Sequence, residues 1–191
     1  MRHGRTGTSF AQWSARSLRN PPTQSAAGQC SSVLDNSPPM NQIASLLPAA
    51  NILLDLDVAN KKRVFEQVGL LFENNQGISR TVVYDSLFAR ERLGSTGLGQ
   101  GIAIPHGRIK GLPEALGAFV RTRAPIPFDA PDGRGASQIF VLLVPEQATD
   151  RHLQILSELA QMFSDKLLRE RIAAAADAQS LHQVFESWQS A

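Results

Sequence analysis

QIFVLLV, residues 138–144, restricts the fold more than any other segment. A strand with one wet face alternates apolar and polar residues, whereas six apolar residues in seven leave no face for water. Such a strand belongs in the middle of a sheet with apolar cover on both sides. Pro145 closes it, since proline cannot donate to a sheet ladder. The rest of the chain must therefore supply two covering layers.

Helical periodicity supplies them on both sides of the strand. Upstream, Val64, Phe65, Val68, Leu71 and Phe72 recur on one helical face after Asn60, an N-cap residue type, and Asn74-Asn75-Gln76-Gly77 ends the run. A second helix is expected after Ser79, with Val83, Leu87 and Leu93 on one side, a charged end ARER (89–92) and Gly94 as its stop. Downstream, Thr149 or Asp150 is expected to cap a helix that turns Leu153, Leu156, Leu159, Ala160 and Phe163 inward. Lys166–Ala175 forms a short helix, and Leu181, Val184, Phe185 and Trp188 line the last. Ile102–Ile104 and GAFVRTR (117–123) read as further strands, and APIPFDAPDGRG (124–135) as a loop or irregular edge hairpin. The order helix, helix, strands, helix, helix, helix argues an α/β fold, with a mixed β-sheet sandwiched between helices. Aromatic residues are only 6% of the chain, so aliphatic side chains fill most of the core.

Charge is unevenly placed. Residues 1–39 carry Arg2, Arg5, Arg16 and Arg19 against Asp35, a net +3, which leaves −1 for residues 40–191 of a +2 chain. The body has no basic block, so nucleic-acid binding is not expected. Residues 1–39 are rich in Ser, Gln, Pro, Gly and Arg without periodicity and read as a disordered leader. Their composition also suits an organellar transit peptide, while MNQIASLLP, from Met40, resembles a natural start and makes the leader an extension or a misassigned start codon. No run of 18 apolar residues appears, so no membrane insertion is expected. Cys30 is the only cysteine, which fits a reducing compartment and offers no disulfide or Cys/His metal cluster.

One histidine has an unusual frame. GIAIPHGR, 101–108, places His106 directly after Ile104-Pro105 and before Gly107. Proline fixes its own φ and holds the preceding residue extended, so the pair ends a strand and sets the direction of the next side chain. GSTGLGQG, 94–101, precedes it, with Ser95 and Thr96 as hydroxyl donors and a glycine-rich backbone suited to an anion with several oxygens. The run matches neither the dinucleotide fingerprint nor the G-x-x-x-x-G-K-[ST] phosphate loop. On these residues alone, two readings stand for His106: a functional group, or a turn histidine satisfied by backbone. His3 has no context, and His182 reads as solvated on the last helix.

The run ARERLGSTGLGQGIAIPHGR, 89–108, resembles the phosphorylation-site segment of the fructose/mannitol-type EIIA family of the bacterial phosphoenolpyruvate-dependent phosphotransferase system. PIPFDAPDG (125–133), FVLLVPEQATDRHLQILSELA (140–160) and NQIASLLP extend the similarity over about residues 40–188, closest to the family's nitrogen-regulatory branch. The resemblance makes residues 40–191 a type-2 EIIA domain with the sandwich fold already expected. It implies that His106 accepts a phosphoryl group, that Arg90 binds phosphoryl oxygens and that His152 stands beside His106. Ser95, Thr96 and Gly107 are further phosphoryl-binding candidates, and Arg92, Arg108 and Lys110 could balance the added charge. Glu91 could tether Arg90. The non-functional alternatives are a surface cation for Arg90 and a polar cap-region residue for His152.

The implied activity is that of a cytoplasmic phosphocarrier rather than an enzyme that turns over a small molecule. Phosphoenolpyruvate would be the indirect source, an HPr-like protein the donor, and regulatory proteins in potassium transport or sensor kinases the targets. No cofactor or metal is implied. A sugar-specific EIIA that passes phosphate to an EIIB partner is the alternative within the family.

Overall fold

The computed structural model describes residues 41–147 and 150–189. The expected leader, Cys30 and the Met40 start lie outside the described residues, as does Thr149. A short helix α1 (Gln42–Leu46) and a 3₁₀ turn lead into strand β1 (Ile52–Leu56). Helices α2 (Lys61–Gln76) and α3 (Arg80–Arg92) follow, then β2 (Gly97–Gly99), β3 (Ile102–Ala103), β4 (His106–Ile109), β5 (Leu116–Ile126) and β6 (Ala136–Pro145). Helices α4 (Asp150–Ser164), α5 (Lys166–Ala174) and α6 (Ala178–Glu186) complete the chain.

β6 is the hub of the sheet. It pairs antiparallel with β5 on one side and parallel with both β3 and β4 on the other. β1 adds parallel to the far edge of β5, and β2 pairs antiparallel with β3. The apolar run of β6 is divided between two cores. Phe140, Leu142 and Val144 face α1, α4, α5 and α6, while Ile139, Val141 and Leu143 face α2 and α3. This is why the run shows no alternation: both faces are dry. Phe140 packs edge-on against Phe163 and Phe185, so three of the few aromatics concentrate in one core.

The helix signals hold locally. The Asn60 side chain accepts from Arg63 N–H at 3.1 Å, and Gly77 closes α2 at φ 69°, a left-handed conformation that favours glycine. Three expectations are corrected. Leu93 lies beyond the last turn of α3 and is 86% exposed rather than part of its apolar side. On α4 the buried face is Ile155, Leu159, Met162 and Phe163, with Leu153 and Ala160 exposed, because the helix packs about 60° of rotation away from the stripe that Leu153 suggests. Segment 124–135 is the expected loop from residue 127 on and no edge hairpin: its first residues finish β5, and the remainder joins the two central strands. α1 and β1 had no clear periodic signal and were not expected as elements.

Candidate functional site

β3 and β4 are one strand with a gap. Ile102 and Ala103 pair with Gln138 and Ile139, and after Ile104-Pro105 the same register resumes as His106 pairs with Leu142. The gap exists because Pro105 has no N–H to give, while its carbonyl still accepts from Leu142 N–H at 3.0 Å. Ile104 N–H turns away from β6 to Thr96 O, 2.9 Å away. The Ile104 carbonyl lies on the side of the strand away from β6, and His106 stands at a strand start, fixed by backbone pairing on the hub of the sheet.

Two contacts define the His106 ring. Its Nδ1 lies 3.0 Å from Ile104 O, and a carbonyl only accepts, so Nδ1 carries the proton. Arg90 Nε–H donates to Nε2 at 3.0 Å, so Nε2 carries the lone pair. Both contacts require the same tautomer. Arg90 is itself held, its Nη1 donating to Gly94 O at 2.9 Å. A groove of about 660 Å³ opens here, and Arg90, His106, Gly107, Arg108 and His152 all line it. His152, in the first turn of α4, is half-buried, and its Nδ1 is buried without a hydrogen-bond partner among the described residues.

Burial pushes the His106 pKa below its ordinary 6.5; the Ile104 carbonyl opposes this, and the positive charge of Arg90 and the ring of His152 reinforce it. The imidazole therefore stays neutral and nucleophilic into more acidic solution than a free histidine does. The native protein also binds fewer protons than the unfolded chain between the folded midpoint and the ordinary one, so this residue costs stability as pH falls through that window. An NMR titration is expected to give a His106 midpoint below 6.5. A midpoint at or above that value would contradict the burial and the cation at Nε2.

The structure separates the remaining candidates. Ser95 Oγ donates to Phe128 O and accepts from Gly97 N–H, and Thr96 Oγ1 donates to Glu91 Oε2 at 2.6 Å. Each hydroxyl already donates within the protein rather than toward the groove. The glycine-rich run is no anion cradle either: Thr96 N–H goes to Glu91 and Gln100 N–H to Asp132, and the segment folds into β2 and its turn to β3. That turn needs glycine, with φ 89° at Gly99 and 82° at Gly101. Gly107 lines the groove, and its missing side chain serves packing, because a Cβ there would collide with the Ser86 hydroxyl and sit 3.2 Å from the Ser86 carbonyl carbon. Glu91 does not tether Arg90. It turns the other way and is buried against Lys61 Nζ at 3.1 Å. Arg92 is exposed outside the groove, and Lys110 lines a different one. His182 pairs with Glu186 at 3.4 Å. No group of three or more metal-ligating side chains gathers among the described residues.

The profile of the family described as "Phosphoenolpyruvate-dependent sugar phosphotransferase system, EIIA 2" matches residues 45–188. The chain belongs to this EIIA family. A curated nitrogen regulatory protein of Pseudomonas aeruginosa is 38% identical over 146 residues, 76% of this chain and 95% of that one. The crystal structure of nitrogen regulatory protein IIA-Ntr from Neisseria meningitidis superposes with a TM-score of 0.71 at 52% identity, covering 75% of this chain and 98% of that one. IIA mannitol from Escherichia coli, at 22% identity and a TM-score of 0.61 over 72% of this chain and 97% of that one, shares the fold. The EIIA sandwich expected from sequence is therefore the observed one.

Proposed function

We propose that this EIIA protein is a regulatory phosphocarrier of a nitrogen-related phosphotransferase system, accepting a phosphoryl group on Nε2 of His106. One observation carries the mechanism: a neutral imidazole whose Nδ1–H is held by a carbonyl and whose Nε2 lone pair faces a guanidinium. In the transfer, the Nε2 lone pair forms a bond to phosphorus as the donor's N–P bond breaks, and the departing imidazole keeps that electron pair. The transition state is loose, so the work of the protein is aim and charge stabilisation. As the phosphoryl group arrives, Arg90 exchanges Nε2 for phosphoryl oxygens, which its planar fork suits. The Nδ1–H···O bond stays and disperses charge on the ring. His152 and Arg108 line the same groove.

The donor on this reading is an HPr-like carrier bearing phosphohistidine, charged in turn from phosphoenolpyruvate. Exchange between two histidines is close to thermoneutral and reversible, which suits a signal. Targets would be regulatory proteins, such as sensor kinases or potassium transport systems, in the cytoplasm. No helix among the described residues is long and apolar enough to cross a membrane. The nitrogen-regulatory relatives at 38% and 52% identity favour the regulatory branch over a sugar-specific EIIA.

The test is incubation with phosphoenolpyruvate, enzyme I and HPr-like carriers, followed by intact mass. One acid-labile phosphoryl group per chain is the expected result, and an unlabelled, well-folded protein after several carriers would overturn the reading. We also propose that residues 1–39 are dispensable. Asn41 side-chain nitrogen donates to Phe185 O at 2.6 Å and Trp188 O at 2.9 Å, tying the start of α1 to the end of α6. A chain beginning at Met40 keeps these bonds and is expected to melt within a few degrees of the full chain and take up phosphate normally; failure to fold would refute dispensability.

A further inference from the structure

Glu91 touches no reacting atom, yet it stands where both halves of the acceptor site are tied. It is buried at 6% exposure in the last turn of α3, next to Arg90 in sequence. Its Oε2 accepts from both Thr96 N–H, at 3.2 Å, and Thr96 Oγ1, at 2.6 Å. Its own carbonyl accepts from Gly94 N–H at 3.3 Å. Two paths leave this anchor. In one, Gly94 O receives Arg90 Nη1 and so sets the guanidinium. In the other, Thr96 O receives Ile104 N–H, and Ile104 O receives His106 Nδ1–H. The carboxylate thus holds, through Thr96, the carbonyl chain that fixes the histidine tautomer, while the Glu91 main-chain carbonyl ties the loop that orients the arginine.

Lys61, the first residue of α2, pairs with that carboxylate. It bridges Glu91 at 3.1 Å and Asp129 at 2.8 Å. Burial alone would lower the Lys61 pKa, but its bonds to Asp129 and Glu91 outweigh burial and hold it above its ordinary 10.5. Asp129 and Phe128 belong to the β5–β6 connection, and Phe128 O receives Ser95 Oγ. The network therefore fastens α2, α3, the 93–96 loop and the β5–β6 connection at one point. A buried charge is kept in place of an apolar residue at a cost in stability, so a role in specifying geometry is the physical return.

We infer that Glu91 is a positioning residue for phosphoryl acceptance, its carboxylate acting through Thr96 to hold His106 in its Nδ1–H tautomer and to fasten the loop whose Gly94 carbonyl receives Arg90. The inference rests on the phosphocarrier reading. Glutamine at position 91 has the right shape, but its amide nitrogen must face either the Lys61 ammonium or the Thr96 donors. All of these are donors, so one contact breaks. Valine at 96 removes the hydroxyl bond, and serine restores it.

The experiment uses the full chain and its Glu91→Gln, Thr96→Val, Thr96→Ser and Ile172→Ala variants. Ile172, buried on α5 in the other core, controls for loss of stability alone. Each variant is read by ¹⁵N signals of the His106 ring, which report the tautomer, and by the rate of phosphorylation against carrier concentration. Glu91→Gln and Thr96→Val are expected to mix the tautomers and to lower the saturated rate about 10- to 100-fold, with half-saturation by carrier unchanged. Thr96→Ser is expected to recover both readouts, and Ile172→Ala to melt earlier with its tautomer intact. A folded Glu91→Gln with wild-type tautomer and rate would overturn the inference, as would the same tautomer mixing in Ile172→Ala. If Glu91→Gln does not fold, Thr96→Val and Thr96→Ser decide it. If the wild type accepts no phosphoryl group, the phosphocarrier reading falls, and the tautomer comparison still decides whether Glu91 positions the ring.

Discussion

His106→Ala is expected to abolish phosphorylation while the protein stays folded. The loss should be complete rather than graded, because phosphoryl uptake needs a nitrogen lone pair and alanine offers none. No described neighbour can substitute. His152 lines the same groove but sits on a different element, without the carbonyl that fixes the His106 tautomer or the guanidinium at its nucleophilic nitrogen. The fold should survive because β4 is held by its backbone. His106, Gly107, Arg108 and Ile109 pair with Leu142 to Pro145 whatever side chain stands at 106. The truncation removes the half-buried ring and its bond to Ile104 O, a bond worth about 1 kcal/mol net. It also leaves Arg90 Nε without its acceptor, but Nη1 keeps Gly94. Intact mass with the wild type alongside, and a melting curve, check both halves. A phosphorylated, folded His106→Ala would move the acceptor to another residue and refute the assignment of Nε2.

Much of this site was legible because its parts follow local rules. The all-apolar 138–144 segment demanded a buried hub strand, and β6 is that hub. Ile-Pro before His106 implied a strand end that aims the ring, and it is a break between β3 and β4 in constant register. What misled was composition read without partners. Ser95, Thr96 and the glycines have the right types for an anion loop, but their hydroxyls and N–H groups are taken up by Phe128, Glu91 and Asp132, which lie elsewhere in the chain or round a turn. Sequence spacing carries no record of such pairings. Glu91 did leave a signal. Val83, Leu87 and Glu91 recur every four residues along one face of α3, so a charge stands where the apolar stripe predicts a core residue. Leu93, expected on that stripe, is exposed instead. β1 leaves no local signal, because five residues with Asp55 among them show neither clean alternation nor a continuous apolar run, and pairing with β5 sets its place.

Arg90→Ala is expected to slow phosphoryl acceptance about 10²- to 10³-fold, the usual effect of removing one preorganised charged donor from a transition state. The geometry gives two opposed consequences of the deletion. Arg90 Nε occupies the Nε2 lone pair at 3.0 Å, so its removal bares the nucleophile. Its removal also takes away the guanidinium nearest to the incoming phosphoryl oxygens. The second should win. A single hydrogen bond to a neutral nitrogen is worth about 1 kcal/mol net and is given up in any transfer, whereas charge on the phosphoryl oxygens persists through the transition state. Arg90→Lys should fall nearer to alanine than to the wild type. A lysine keeps the charge but not the fork, so it cannot hold Gly94 O and reach the phosphoryl group in two directions at once. The same variants move the His106 titration in a known direction. Arg90 is one of the groups that lower the His106 pKa, so Arg90→Ala should raise its midpoint, and Arg90→Lys should raise it less. Rate and midpoint together separate the possible roles. A slow Arg90→Ala with a raised midpoint fits a charge that serves transfer, and a raised midpoint with wild-type rate would reduce Arg90 to a cover over the resting nucleophile.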